Sequence, residues 1–232
     1  VEVTRKPRVA IIATGDELTR PGEPRAPGGI VASSTYAIQA MVRDWGGDAV
    51  DLGIVPDREE EFARLPAQTR GMDLIVTLGG ASVGDHDLIQ SALKPLVFTL
   101  DFWTIAMRPG KPLIFGRLNA TPLIGLPGNP VSAMVCAILF VRPALSAMLG
   151  APYASPVRTA RLGSALKANG KRQDYVRARL SVSNGVLTAE PFRLQDSSMQ
   201  KVFARAEALI IRRIDAPPAA EGDQVEVLLL DS

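Results

Sequence analysis

Apolar residues along this chain come in two kinds of pattern, and the change between them divides it. From Arg8 to Leu149, short continuous apolar runs alternate with stretches of helical spacing. Arg8–Thr14 is a β-branched run that stops at Gly15, the mark of a strand buried on both faces. Ala37, Ile38, Met41, Val42 and Trp45 recur at helical spacing, with Ser33 or Ser34 placed to cap that helix and Gly46-Gly47 placed to end it. Ala49–Val55 gives a second strand, Glu59–Arg70 an acidic helix, and Leu74–Leu78 a third strand. A helix is expected near Asp87–Leu93. Strand-like pieces follow at Phe102–Met107, Leu113–Phe115 and Pro122–Leu126, and an apolar helix from Val131 to Leu149 closes the series.

Alternating strands and helices with apolar strands imply an α/β unit whose mostly parallel open sheet is covered on both faces, a three-layer arrangement. Right-handed crossovers then collect the loops after the strands along one edge, where open α/β sheets bind ligands. Near Gly150-Ala151-Pro152 the pattern changes to short alternating runs between turns. Arg177–Val182 and Val186–Ala189 flank Asn184-Gly185, a strong hairpin signal. Ala208–Arg213 and Val225–Leu230 read as further strands. The expected organisation is an α/β domain over residues 1–150 and a small all-β, barrel-like domain over 151–232.

Composition adds limits. The chain has 232 residues, 47% of them hydrophobic and 22% charged, as in ordinary globular proteins. A net charge of +2 with scattered basic residues argues against nucleic acid as a partner. The single cysteine, Cys136, lies in an apolar run and reads as a buried, inert thiol; with no possible internal disulfide, a reducing, cytoplasmic setting is expected. That apolar run, followed by Arg142-Pro143, reads as a core helix rather than a membrane span. No signal peptide is evident. Val1 is not a natural start, so the chain is expected to continue a longer protein.

Five segments carry candidate chemistry, each with a plain structural alternative. Gly79–Asp87, GGASVGDHD, follows the third strand. Its glycines let backbone N–H groups approach an anion, and its acids can hold a divalent cation against that anion. The alternative is a loose glycine turn. His86 reads as a neighbour of the acids, since one histidine cannot make a two-histidine metal site. In Thr14-Gly15-Asp16-Glu17, Thr14 and the Gly15 backbone can contact a polar ligand and Glu17 a metal, or the segment is a turn. Asp57, after Ile54-Val55-Pro56, reads first as an N-cap of the next helix. Arg108-Pro109-Gly110-Lys111-Pro112 sets two cations around a bend, suited to a tetrahedral oxyanion or to a solvated basic turn. Gly125–Ala133, GLPGNPVSA, offers N–H groups at the mouth of the apolar helix, or simply connects strand to helix. No Ser/His/Asp arrangement, Walker-type loop or G-x-G-x-x-G after the first strand is present.

In order, ATGDEL, IVPD, GGASVGDHD, AMRPGKP and GLPGNPVSA resemble the molybdopterin molybdenumtransferase family, the molybdenum-insertion enzymes of molybdenum cofactor synthesis. The similarity is strong over residues 8–150. It extends more weakly through Lys171–Tyr175 and Gln195–Ser198. The resemblance implies an enzyme that takes molybdate and adenylylated molybdopterin, uses Mg2+, releases AMP and yields the molybdenum cofactor. It also implies a homodimer with further amino-terminal domains, and as partners the molybdopterin adenylyltransferase and molybdoenzyme chaperones. Residue by residue, Gly79, Gly80, Ser82 and Gly84 match a phosphate-cradling turn. Glu17, Asp57 and Asp87, with Asp85 nearby, match acids around the cation and nucleotide. Arg108, Lys111 and Pro112, with Arg172 and Ser197 in the tail, match the positions facing molybdate. Pro127, Gly128, Asn129 and Pro130 match the shaped turn. Asp57, Asp87, Arg108 and Lys111 would be the catalytic set, with Thr14 and Gly15 among the molybdopterin or nucleotide contacts. Many members carry lysine where this chain has Arg108, and some carry one at the position of Thr104. Two other functions suit the same residues: a non-catalytic molybdopterin-binding scaffold, and the adenylyltransferase one step earlier, against which the β-rich tail argues.

Overall fold

The computed structural model describes residues 3–79 and 98–230. These fall into two units, Val1–Ile105 with Pro112–Tyr153, and Ala106–Lys111 with Ala154–Ser232. The second unit is therefore discontinuous in sequence, because a six-residue insert from the middle of the first belongs to it.

In the first unit the strands are β1 (Arg8–Thr14), β4 (Asp48–Val55), β5 (Leu74–Leu78), β6 (Phe98–Thr104), β8 (Pro112–Leu118) and β9 (Thr121–Leu126), with a short parallel pair β2 (Leu18–Thr19) and β3 (Ile30–Val31). The main sheet runs in the order β4-β1-β5-β9-β8-β6. The first four strands are mutually parallel, while β8 is antiparallel to both of its neighbours. The antiparallel edge arises at Asn119, whose φ of 54° turns β8 directly into β9. Asparagine tolerates that left-handed conformation better than most residues.

Both faces of the sheet are covered. Ala10, Ile12, Ile75 and Leu123 pack with Phe62 and Leu65 from α2 (Glu59–Phe62) and α3 (Leu65–Gln68). Val9, Ile11 and Ala13, pointing the other way along β1, are also buried. Helices α1 (Ser33–Asp44) and α4 (Pro130–Met148) pack against each other, α1 also on β1 and β4 and α4 on β9. Each fully buried Leu, Ile or Phe here contributes about 1.5–3 kcal/mol of transfer free energy. Helix α4 has the length and apolarity to cross a bilayer, but Val131, Val135, Ile138, Val141 and Leu145 are buried inside the unit.

Three local expectations differ from what is found. The N-cap of α1 is Ala32 rather than a serine. The acidic helix is split into α2 and α3, because Pro66 has no N–H to continue the ladder and fits only in a first turn. Asp57 is not the cap of α2, a position held by Arg58. The helix expected near Asp87–Leu93 lies outside the described residues.

The second unit contains β7 (Met107–Arg108), β10 (Val157–Leu162), β11 (Gln173–Ser183), β12 (Val186–Pro191), β13 (Ala208–Arg212) and β14 (Gln224–Leu229), with the short helix α5 (Gln200–Phe203). Strands β11, β12, β10, β14 and β13 close into a five-stranded ring, and β7 adds to β11 from outside it. Ala160, Leu162, Ala178, Ile210 and Val227 fill the ring. The β11–β12 hairpin turns at Asn184 and Gly185, with φ of 51° and 76°, the paired positive values of a type I′ turn.

Candidate functional site

In the first unit, the ends of four parallel strands are laced together by backbone bonds. Gly15 N donates to Val55 O at 3.3 Å, joining the turn after β1 to the end of β4. Gly79 N donates to Leu126 O at 3.2 Å, joining the turn after β5 to the end of β9. Gly79 lies close to the β1 end, since a Cβ added to it would sit 2.5 Å from Thr14 O and 3.2 Å from Thr14 Oγ1. On the other side, a Cβ at Gly128 would lie 3.6 Å from the Gly79 Cα. With φ at +95°, Gly79 has both a conformation and a clearance that only glycine satisfies. Thr14, Gly15, Val55, Gly79 and Gly128 thus share the carboxyl edge of the sheet.

The polar groups at that edge are unevenly satisfied. Thr14 is 3% exposed, and its Oγ1 is buried without a hydrogen-bond partner among the described residues. A hydroxyl left so carries a desolvation penalty of about 1–3 kcal/mol, which a ligand's polar atom would relieve. The Asp57 N–H donates to Asp16 Oδ1 at 3.2 Å, which brings the turn carrying Glu17 against the end of β4. Asp16 was visible in the sequence beside Glu17, but nothing there marked it as the group that fixes Asp57. Pro130 opens α4 at its first turn, directly after Asn129 as N-cap. Gly80, Ser82, Gly84, Asp85 and Asp87 lie outside the described residues.

The cationic loop belongs to the second unit rather than to the sheet of the first. Met107 and Arg108 pair with Gln173 and Asp174 in the second unit, and Gln173 N donates to Ala106 O at 2.8 Å. The ladder sets Arg108 opposite Asp174, and the two side chains form an ion pair. The Asp174 carboxylate is 8% exposed and the Arg108 side chain 60% exposed. Asp174 is therefore the buried anchor of a cation that reaches outward. The sequence showed Asp174 inside the Lys171–Tyr175 segment without any sign of this partner, because the pairing spans 66 residues. Lys111 closes the same insert, and Pro112 opens β8 in the first unit.

The tail residues sit in supported turns of the second unit. Asn169 Nδ2 donates to the carbonyls of Arg172 and Arg213 at 2.8 Å, which fixes the turn holding Arg172. The segment with Ser197 is held by Arg177, 1% exposed, which donates from Nε to Gln195 Oε1 and from Nη1 to Asp196 O. Gln195 Nε2 returns bonds to the carbonyls of Arg177 and Phe192. Burial pulls the Arg177 guanidinium below its ordinary value, with the Asp196 charge opposing. Ser198 donates from its hydroxyl and its N–H to Asp196 Oδ1, and those bonds hold the Asp196 carboxyl below the usual range.

Among the described residues, no group of three or more His, Cys, Asp or Glu forms a metal cluster. Glu17 and Asp57 are hard oxygen donors of the kind Mg2+ takes, and such sites commonly use one or two carboxylates plus ligand phosphates.

Comparison with known proteins gives a consistent picture. Residues 10–147 match the family described as "Probable molybdopterin binding domain", and residues 159–230 match the "MoeA C-terminal region (domain IV)". A molybdopterin molybdenumtransferase of Haemophilus influenzae is 30% identical over 236 residues, covering 98% of this chain and 57% of that protein. Molybdopterin molybdenumtransferase 2 of Mycobacterium tuberculosis is 35% identical over 233 residues, covering 97% and 57%. The crystal structure of a molybdopterin biosynthesis MoeA protein from Pyrococcus horikosii superposes with a TM-score of 0.83 at 29% identity, over 98% of this chain and 55% of that one. The chain thus spans a little over half the length of the relatives it matches.

Proposed function

The chain belongs to the molybdopterin molybdenumtransferase family, and we propose that it forms the molybdopterin-binding and carboxyl-terminal parts of an enzyme that inserts molybdenum from molybdate into adenylylated molybdopterin, with release of AMP. The observation that carries this reading is the carboxyl edge of the first unit. There a buried Thr14 hydroxyl, without a hydrogen-bond partner among the described residues, lies beside Gly79, whose backbone approaches closely because it lacks a side chain.

In this reading the matched motifs take the following roles. The turns at Gly15, Gly79 and Gly128 present backbone to the molybdopterin phosphate, together with Gly80, Ser82 and Gly84 of the same motif. Thr14 Oγ1 takes a polar atom of the ligand and so loses its unsatisfied state. Asn129 and the flanking Pro127 and Pro130 shape the mouth of α4. Glu17 and Asp57, with Asp85 and Asp87, hold Mg2+, which when bound neutralises charge on the nucleotide phosphates. Molybdate is a dianion, and cations fixed in advance favour its approach to another anion. Arg108 supplies a planar fork for that purpose, oriented by Asp174, and Lys111 supplies a compact charge. Pro112, Arg172 and Ser197 complete the molybdate contacts. The second unit favours insertion over adenylylation. The same reading places the protein in the cytoplasm as a homodimer that meets the adenylyltransferase before it and molybdoenzyme chaperones after it.

Titrating the chain with molybdopterin tests the binding half. Saturable binding that weakens about tenfold in Thr14→Val is expected, the loss of one buried hydrogen bond of about 1.4 kcal/mol. Equal affinity in the two proteins would remove the carboxyl edge from the reading.

A further inference from the structure

The second unit holds a cavity of about 350 Å³, to whose lining the molybdate assignments contribute only Arg108. Its volume falls in the range of small-molecule sites, roughly 300–1,000 Å³. Arg108, Lys167, Arg193 and Arg212 bring four cations to its lining against a single acid, Asp174. Asp174 is engaged by Arg108. Arg212 stands directly across the β11–β13 ladder from Asp174, yet among the described residues it forms no ion pair. It is 9% exposed, and Nη2 donates to the carbonyls of Lys167 and Pro217. Its Nε is buried with no acceptor among the described residues. A buried guanidinium with an empty donor is costly, and an oxyanion is the acceptor whose geometry and charge suit it. The rest of the wall is apolar: Leu166, Val176, Pro191 and Phe192.

We infer that this cavity binds a small organic molecule ending in a tetrahedral oxyanion, a phosphate monoester, with the oxyanion on the Arg212 guanidinium and the carbon body against Val176 and Phe192. Lys167 and Arg193, both exposed, stand at the rim and attract the anion. Arg108 contributes charge while its guanidinium stays on Asp174. The inference is independent of molybdenum insertion: a chain that released no AMP would still bind a monoester here.

Calorimetric titration of the chain with phenyl phosphate, inorganic phosphate and phenol tests it. Phenyl phosphate is expected to bind saturably and at least threefold tighter than inorganic phosphate, while phenol gives no saturable binding. Arg212→Leu is expected to weaken phenyl phosphate at least tenfold. Because that change touches a buried residue, the double variant Lys167→Ala/Arg193→Ala provides a second arm on exposed positions; it should weaken binding several-fold with an unchanged melting temperature. Absence of saturable binding to the parent chain would overturn the inference. Unchanged affinity in the double variant and in a folded Arg212→Leu would overturn it as well, and so would equal affinity for inorganic phosphate and phenyl phosphate.

Discussion

Single residues decide whether the carboxyl edge can form. Gly79 combines a positive φ with a neighbour 2.5 Å from where its Cβ would be. Gly79→Ala is expected to lower stability by about 1–3 kcal/mol in urea unfolding, the usual cost of a strained backbone position. An unchanged midpoint would mean that the turn relaxes freely. This glycine was legible in the sequence as the turn that ends the third strand. Its contact with Thr14 was not, because the contact joins two strands that only the parallel register brings side by side. Cys136 was legible too. Burial pushes its thiol up to about 12, so the thiolate is scarce at neutral pH. A disulfide reagent at pH 8 should leave Cys136 unmodified in the folded chain and label it once denaturant is added; rapid labelling without denaturant would contradict its burial.

Between elements, two buried or paired charges hold segments that the hydrophobic pattern does not. Arg5 donates to both oxygens of Asp73 at 2.6 Å, and Arg8 N donates to Asp73 Oδ2 at 2.7 Å. The Arg5 hydrogen bonds, aided by the Arg8 N–H and both positive charges and opposed by burial, hold the Asp73 carboxyl below the usual carboxylate range. A pKa lowered on folding adds stability that is complete above the unfolded value of about 3.9 and is lost as pH falls through the folded one. Asp73→Asn is therefore expected to destabilise the chain at pH 7 and to flatten the fall in melting temperature below pH 4. Parallel pH curves for the two proteins would contradict this. Arg177 is the second case. Arg177→Met is expected to cost roughly 3 kcal/mol, since Gln195 and the Asp196 carbonyl lose their buried partner. Such fastenings escape a reading by periodicity. Strands β1, β4, β5 and β9 announce themselves as apolar runs, and the β11–β12 turn announces itself as Asn184-Gly185. Arg177 instead sits in a strand that alternates, and reads there like any exposed charge.

For the molecule as a whole, the insert Ala106–Lys111 is the feature that sequence order conceals. Both fold types were legible, because the change near residue 150 is a change of period. The return of six residues from the α/β segment to the β unit carries no compositional mark, since its placement depends on a two-residue ladder and one buried acid. The barrel ring closes without β7, so residues 154–230 are expected to fold alone with the circular dichroism of a β protein. That shorter chain leaves Asp174 buried without Arg108, and an uncompensated buried carboxylate is destabilising. Asp174→Asn should therefore raise its melting temperature, and a drop would show that Asp174 has another partner in the ring. In the proposed reaction the same insert would supply the cations. Release of AMP from adenylylated molybdopterin, measured with Mg2+ in a protein that carries this chain at the full length of its relatives, tests the proposal most directly. Release that requires molybdate and falls at least tenfold in Lys111→Ala is the outcome expected; release that proceeds equally without molybdate, or is untouched by Lys111→Ala, would contradict it.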